Sequence, residues 1–494
     1  MGNEINELNG VGFADIAKVN GVAAADITHV NGMDLVISAD FSIQDISNEE
    51  GLNSGRSWGL SNSYHPGTNQ MVFSYGDDGN SSYGTIRAVT VVGTTAYMGD
   101  EYVFASVTTY TTQLIYDATR NRMALAAMDT TNYNEFSVRS FTVGAAHSTT
   151  NPYDFSSSDF NDTGGSDTKH VQNPNNGSDS TQTCGANYFD YNPTYDTYTI
   201  MYERDTDDAN CIAAFHMDSD GSWDSGSEIV FENSAQDIFT SVYDSNIQRT
   251  VLIYNEGSSN SSPTGGKMNV LKQSGTNNLT LELAGELDFG GRLPNTPSDS
   301  GRKAAYVPEF GSNGMIMALE GVTNGYELKY NTISGSDGAG YTRSGGSIGN
   351  YAYLGGHNGN SAFGGVYYVK GRGRCIVFKF NVETSFTDGT DIKSLVGHIL
   401  EWDGDSSNDD IQDAVFGHHP TSDTYPVYDA RVQFVETATT GSSMRPYDTF
   451  GDCAINDRTA FGPMLGACTN YSNSKTQFTR LIEVGDNGTT GAAP

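Results

Sequence analysis

The chain has 494 residues, enough for one large domain or several ordinary ones. Its 60 acidic and 26 basic residues give a net charge of −34, so phosphate backbones and anionic lipid surfaces repel it. We therefore expect no nucleic-acid partner, and no membrane insertion, because no apolar run is long enough to cross a bilayer.

The composition favours an all-β protein. Apolar residues make up 36% of the chain, whereas 57 glycines and many Asn, Asp, Ser and Thr residues suit frequent turns. The 28 tyrosines and 23 phenylalanines favour strands over disorder. Only 17% of residues are charged, so the chain is no disordered polyelectrolyte.

An eleven-residue repeat occupies residues 1–40. Each Asn-Gly pair favours positive φ at both central positions of a turn, so each unit predicts a tight hairpin. A unit this short cannot bury its own apolar face and needs stacked copies or a partner surface. We predict a docking or assembly segment, and the alternative is a hairpin stack that covers one end of the next domain. The predicted attachment residues are Ile5, Leu8, Asn9, Gly10, Ile16, Val19, Asn20, Gly21, Ile27, Val30, Asn31 and Gly32.

This repeat resembles the N-terminal I-x-x-(I/V)-N-G-V units of virion structural proteins from tailed phages, marine ones above all. In those proteins the units precede tail-like or fibre-like domains. The resemblance covers about the first tenth of the chain. It implies a virion protein that meets other virion proteins, or copies of itself, through residues 1–40.

A longer, looser repeat runs through the predicted body, residues 41–494. Its unit is an apolar strand, a Tyr-Asp or Tyr-x-Pro turn and a second apolar strand, with 50 to 75 residues between successive units. That length holds four short antiparallel strands, which is one propeller blade. The seven turns are marked by Tyr64, Tyr116, Tyr191, Tyr243, Tyr306, Tyr368 and His418.

We predict a β-propeller of about seven four-stranded blades, preceded by the short β-repeat segment. Radial packing covers both faces of each blade and leaves only short outer edges. A β-sandwich array, and a ring of six or eight blades, stay open at this stage. The units resemble AYD-x-x-x-x-(K/R)-V-V-V-A-Y repeats of uncharacterised marine phage proteins. The best matches are Tyr116-Asp117 with Asn121-Arg122 and Tyr243-Asp244 with Gln248-Arg249, and the later copies depart from the pattern.

A polar insertion near 145–182 interrupts the rhythm. It is rich in Ser, Asn, Asp, Thr and Gly, and it accounts for the largest gap between units. Long loops on rigid scaffolds often carry binding function, so we expect either a ligand-binding loop or a mobile surface insertion.

Cysteine usage and the N-terminus indicate synthesis in a reducing compartment. The five cysteines are odd in number and widely spaced, which argues against a disulfide framework, and none forms a C-x-x-C pair. The N-terminus lacks the basic region and apolar core of a secretory signal. We expect synthesis in the host cytoplasm and a place in the virion after release.

No catalytic motif is recognisable, so we predict no enzymatic activity and no cofactor. Asp218, Asp220 and Asp224 form a D-x-D-G-x-x-D cluster, and alternating oxygen ligands around glycine suit Ca²⁺. No glutamate closes the loop as in an EF-hand, and a solvated acidic turn is the simpler explanation. Asp403, Asp405, Asn408 and Asp409 form a second cluster of this kind, and a solvated acidic turn is the simpler explanation there as well.

The sequence supports three functional hypotheses. The first is a non-enzymatic virion structural protein of a tailed phage, in the tail, a fibre or the capsid surface, with residues 1–40 for attachment. The second is an adhesin that binds a host surface glycan through aromatic loops and the 145–182 insertion. The third is an enzyme that degrades polysaccharide.

Overall fold

The computed structural model is all-β. It describes residues 57–92, 95–129, 135–161, 189–204, 209–233, 239–256, 265–272, 304–308, 314–322 and 325–334, the other strands given below, and Leu293, with side chains between residues 52 and 318. The described residues hold a single 3-10 turn, Asp78–Asn80, and no helix long and apolar enough to span a membrane.

Three two-stranded hairpins form the repeat segment, and each is antiparallel. Two residues, Asn and Gly in every case, lie between paired positions such as Leu8 and Val11. The pairing agrees with the predicted hairpins. Their strands are β1 (Glu7–Leu8), β2 (Val11–Gly12), β3 (Lys18–Val19), β4 (Val22–Ala23), β5 (His29–Val30) and β6 (Met33–Asp34).

Six antiparallel sheets form the body, and the eight-stranded first sheet comprises two blades, so the body has seven blades, here called blades 1 to 7. The chain first supplies β7 (Phe41–Gln44) and β8 (Gly51–Asn53). Blade 1 follows with β9 (Ser57–His65), β10 (Gln70–Asp77), β11 (Tyr83–Val92) and β12 (Thr95–Met98). Blade 2 contains β13 (Tyr102–Asp117), β14 (Arg122–Asp129), β15 (Glu135–Phe141) and β16 (Lys169–His170).

Blades 3, 4 and 5 continue in chain order. Blade 3 contains β17 (Phe189–Asn192), β18 (Thr197–Arg204), β19 (Ala209–Met217) and β20 (Trp223–Glu232). Blade 4 contains β21 (Phe239–Asp244), β22 (Arg249–Glu256), β23 (Gly265–Lys272) and β24 (Glu282–Asp288). Blade 5 contains β25 (Ala304–Val307), β26 (Met315–Val322), β27 (Gly325–Ser334), β28 (Thr342–Ser344) and β29 (Ala352–Tyr353).

The last two blades come from the C-terminal third. Blade 6 contains β30 (Phe363–Val369), β31 (Arg374–Glu383), β32 (Ile392–Glu401) and β33 (Ala430–Val435). Blade 7 contains β34 (Cys453–Ile455), β35 (Pro463–Asn470) and β36 (Lys475–Val484). The seventh predicted turn, at His418, was misplaced: residues 402–429 fall between two neighbouring strands of blade 6 and outside the described residues, and blade 7 begins at Cys453.

The seven blades close into a ring, which confirms the predicted β-propeller. The first strand of each blade contacts the first strand of the next, from β9 through β13, β17, β21, β25, β30 and β34, and β34 contacts β9 again. Blade 7 takes its outer strands from the N-terminal side, because β7 and β8 both pair with β36. The two ends of the body therefore meet in one sheet.

A single long strand joins the first two blades. The first part of β13 pairs with β11 in blade 1, and from Thr109 onward β13 pairs with β14 as the innermost strand of blade 2. The register shifts between Thr109 and Thr111, where one pairing gives way to the other.

The core lies between blades, so central strands are apolar on both faces. Along β14, Met123, Leu125 and Ala127 pack toward blade 1. Ala124 and Ala126 alternate with them and pack toward blade 3. This double burial explains the near-continuous apolar runs that follow the predicted turns in the blades whose side chains are described.

Candidate functional site

The turns that join the first two strands of blades 1 to 4 share one construction, and we call them the inner turns. In each, a half-buried tyrosine precedes a fully buried polar residue: Tyr64-His65, Tyr116-Asp117, Tyr191-Asn192 and Tyr243-Asp244. Five positions after the tyrosine the backbone turns left-handed, with φ between 52° and 56° at Asn69, Asn121, Asp196 and Gln248. Asn and Asp tolerate that conformation better than other side chains, which explains their use there.

In blades 2, 3 and 4 the buried polar residue holds the inner turn together. Asp117 Oδ1 accepts hydrogen bonds from the backbone amides of Thr119, at 2.8 Å, and Arg120, at 3.0 Å. Asn192 and Asp244 accept the equivalent pairs of amide bonds in their own turns. These are Asx turns, and the side chain satisfies amides that the strand ladder leaves open.

The tyrosine hydroxyls complete three of these turns. Tyr64 donates to Asn69 Oδ1 at 2.8 Å, and Tyr116 donates to Asn121 Oδ1 at 3.0 Å. Tyr191 donates to Asp196 Oδ1 at 2.9 Å. In these three turns the left-handed residue thus stabilises the turn both through its backbone conformation and through its side-chain hydrogen bond.

Blades 2 and 3 are joined by a buried ionic cluster around Arg120. Its Nη1 lies 2.7 Å from Asp117 Oδ2, and its Nη2 lies 2.6 Å from Asp196 Oδ2. Tyr198 of blade 3 donates to Asp117 Oδ2 at 2.7 Å. Burial opposes the charge on Arg120, but its hydrogen bonds to Asp196 and Asp117 raise its pKa above the ordinary value. Burial and the Asp117 charge raise the pKa of Tyr198, so its hydroxyl stays protonated.

Other side-chain contacts link further pairs of neighbouring blades. The Asp244 carboxyl of blade 4 is hydrogen-bonded to Tyr306 of blade 5. The hydroxyls of Thr194 and Tyr243 lie 2.7 Å apart across blades 3 and 4. In blade 1 the ring of His65 meets the Tyr116 ring of blade 2 edge-on, with centroids 4.9 Å apart. Polar and aromatic side chains of the inner turns therefore link neighbouring blades, which is a structural role.

The proposed calcium residues lie beside a histidine at the turn that joins β19 to β20 in blade 3. Asp218 Oδ1 is 3.6 Å from His216 Nε2, and Asp220 Oδ1 accepts hydrogen bonds from the amide and hydroxyl of Ser222. Asp224 is paired with His216 in the β19–β20 register. Among the residues whose side chains are described, no three His, Cys, Asp or Glu side chains lie close enough together to coordinate a metal ion. Contacts within the turn therefore provide partners for the carboxylates of Asp218 and Asp220.

This turn also docks onto blade 2. Ser140 donates to the carbonyl oxygen of Gly221 at 2.6 Å. Gly221 has φ of 94°, and a Cβ there would lie 2.5 Å from Ser140 Oγ and 2.7 Å from Arg122. Glycine is needed here for both reasons.

The first part of the polar insertion packs onto the body. Phe155 and Phe160 are buried in the core between blades 1 and 2, and Phe160 stacks on Phe141 with centroids 4.9 Å apart. Tyr153 donates to the buried carboxylate of Asp159. Residues 145–161 of the insertion thus carry aromatic anchors, which its polar composition does not indicate. Residues 162–168 and 171–182 lie outside the described residues.

The predicted attachment residues are described only in part. Leu8, Val19 and Val30 end the first strands of the three hairpins. The isoleucines and the Asn-Gly pairs fall outside the described residues. Within the described strands, each hairpin pairs only with itself and with no strand of the body.

Comparison with known proteins gives no family. No family model matches the chain, and no curated protein matches it. Among solved structures, a lectin from Burkholderia pseudomallei is similar at 10% identity and a TM-score of 0.48, over 87% of this chain and 97% of the lectin. An α-L-arabinanase from Penicillium chrysogenum is similar at 11% identity and a TM-score of 0.37, over 69% and 92% of the two chains. An exo-β-1,3-galactanase from Phanerochaete chrysosporium is similar at 12% identity and a TM-score of 0.32, over 73% and 80%.

Proposed function

We propose that this chain is a non-enzymatic structural component of a tailed-phage particle, attached through residues 1–40 and presenting the propeller on the surface. The observation that carries the proposal is the isolation of the three N-terminal hairpins. Each has two residues per strand and pairs with no other strand among those described. An isolated two-stranded hairpin is marginally stable in water, so three in series call for a partner surface.

The position of the hairpins supports an attachment role. The strand β7 follows them directly and pairs with β36 in blade 7. A partner that holds residues 1–40 would thus hold the blade that closes the ring. The net charge of −34 keeps unassembled copies apart and soluble, which suits a component made in many copies before assembly.

The test compares the full chain with a variant that lacks residues 1–40 but keeps β7. Light scattering after gel filtration gives the mass of each, and mass spectrometry of purified particles gives the copy number. We expect the full chain to assemble or to be present in particles at stoichiometric copy number, and the truncated chain to be a folded monomer absent from particles. A full chain that is monomeric and absent from particles would refute the proposal.

A second candidate is binding of a host surface glycan by the propeller. The favouring observation is the row of half-buried tyrosines on the inner turns, Tyr64, Tyr116, Tyr191 and Tyr243, each held in one orientation beside polar groups. Rigid aromatic faces with adjacent hydrogen-bonding groups suit small polar ligands such as sugars.

Glycan-array binding followed by calorimetry tests this candidate. Tyr191→Ala and Tyr243→Ala should weaken binding at least tenfold, whereas Tyr97→Ala, on the outer strand of blade 1, should leave it unchanged. Equal effects of all three substitutions on binding would show that the inner turns are not the glycan-binding site. Release of reducing ends from the bound glycan would instead favour the polysaccharide-degrading enzyme.

A further inference from the structure

Two cysteines stand at directly opposed positions in the blade that closes the ring. The register of β34 and β35 pairs Cys453 with Cys468, Ala454 with Ala467 and Ile455 with Gly466. Opposed residues of an antiparallel pair share a face of the sheet, with Cα atoms about 4.5–5.5 Å apart. A disulfide needs Cα atoms about 4.4–6.8 Å apart, so the register alone meets the backbone requirement.

The other cysteines lack such a counterpart in the described strands. Cys375 in β31 is paired with Tyr368 on one side and Leu400 on the other. Cys211 in β19 is buried and is paired with Tyr202 and Val230. Cys184 lies outside the described residues. The opposition of Cys453 and Cys468 is thus the one cysteine pairing in the described register.

We infer that Cys453 and Cys468 are a redox-sensitive pair whose disulfide cross-links the innermost strand of blade 7, β34, to its neighbour β35. That strand, β34, has three residues, whereas each other innermost strand has four or more. It also contacts β9 of blade 1 and β30 of blade 6, where the first and last parts of the ring meet. A bond from β34 to β35 would restrict the chain between them in the unfolded state and so favour the closed ring. The inference does not depend on the proposed function.

Disulfide formation needs an oxidant, and oxidised glutathione is a suitable one. One cysteine thiolate attacks a glutathione sulfur, forming a mixed disulfide and releasing one reduced glutathione. The second cysteine thiolate then attacks the protein sulfur and releases the other glutathione. The two protein thiols are oxidised, and their protons pass to the two glutathione thiolates. In a reducing compartment the same exchange runs backward and leaves both thiols free.

The test uses the full chain, purified under reducing conditions and then incubated with a mixture of oxidised and reduced glutathione. After alkylation and digestion without reductant, we expect a linked peptide that joins Cys453 to Cys468, about 2 Da lighter than its two free parts because two hydrogens are lost. The thiols of the denatured chain should fall by two, from five to three. The oxidised protein should melt at a higher temperature than the reduced one.

Matched variants distinguish a specific disulfide between Cys453 and Cys468 from unspecific oxidation of cysteines. Cys468→Ser should abolish both the linked peptide and the redox dependence of the melting temperature, whereas Cys375→Ser should retain both. If Cys468→Ser fails to fold, Cys468→Ala provides the same test, together with the time course over which the linked peptide forms in the natural sequence. Alkylation of Cys453 and Cys468 in the oxidised natural sequence, or a link from either one to a different cysteine, would overturn the inference.

Discussion

Arg120→Met is the substitution that best tests the ionic cluster between blades 2 and 3. Methionine keeps much of the volume of arginine but removes its charge and its donors. In the folded protein Nη1 lies 2.7 Å from Asp117 Oδ2, and both terminal guanidinium nitrogens, Nη1 and Nη2, donate to Asp196, at 2.8 and 2.6 Å. The Arg120 side chain is 8% exposed and that of Asp117 is fully buried.

The expected loss follows from what the variant leaves behind. Removing one partner of a buried ion pair costs about 3–5 kcal/mol, because the other charge stays buried without compensation. Asp117 keeps the Tyr198 hydroxyl and two turn amides, and the side chain of Asp196 is 19% exposed. Both effects reduce the penalty, so we expect a loss near the lower limit, about 3 kcal/mol.

The control is Lys267→Met, which removes the more exposed pair of Lys267 with Glu256. Those side chains are 20% and 45% exposed and their charged atoms lie 3.6 Å apart, so a loss of about 0–1 kcal/mol is expected. Urea unfolding followed by circular dichroism measures both variants, provided that the slopes match that of the natural sequence. Combining Arg120→Met with Asp196→Asn should give a coupling energy of at least ~1 kcal/mol. Equal losses in the two Met variants, or strict additivity with Asp196→Asn, would refute the interpretation of Arg120 as a link between blades.

Three further predictions concern other parts of the fold. Burial raises the pKa of Asp244 to about 6 from the ordinary 3.8, so its ionised form costs stability above that pH, and the cost fades as the pH falls through 6 toward 3.8. Between about pH 7 and about pH 4 the natural sequence should therefore gain about 2–3 kcal/mol relative to Asp244→Asn in urea unfolding, and parallel pH profiles would contradict this. Phe160→Ala should cost about 3–5 kcal/mol, because Phe160 is 6% exposed and stacks on Phe141, and a loss below ~1 kcal/mol would place residues 145–161 outside the core. Removing residues 1–44 should lower the melting temperature far more than removing 1–40, since only the longer deletion takes β7 from β36, and equal melting temperatures would show that β7 does not help to close the ring.

The sequence predicted the local units of this protein well. Each Asn-Gly pair lies between two paired strands, and six of the seven predicted turns join the first two strands of a blade. These features depend on residues only a few positions apart, such as Tyr116 and Asn121, whose hydrogen bond lies within one turn. Backbone preferences and side-chain capping act over that distance, so the pattern is visible without a fold.

Only the tertiary structure decided how the units meet. Arg120 and Asp196 are 76 positions apart, and nothing local to either residue indicates the other. Phe160 lies in a polar stretch of the sequence, and only the fold places it against Phe141. The ring closes because β7, near the start of the chain, pairs with β36, near its end, and the same folding sets Cys453 opposite Cys468. Periodicity and turn chemistry determine strands and hairpins, whereas contacts between blades depend on the order in which the closed ring brings distant segments together.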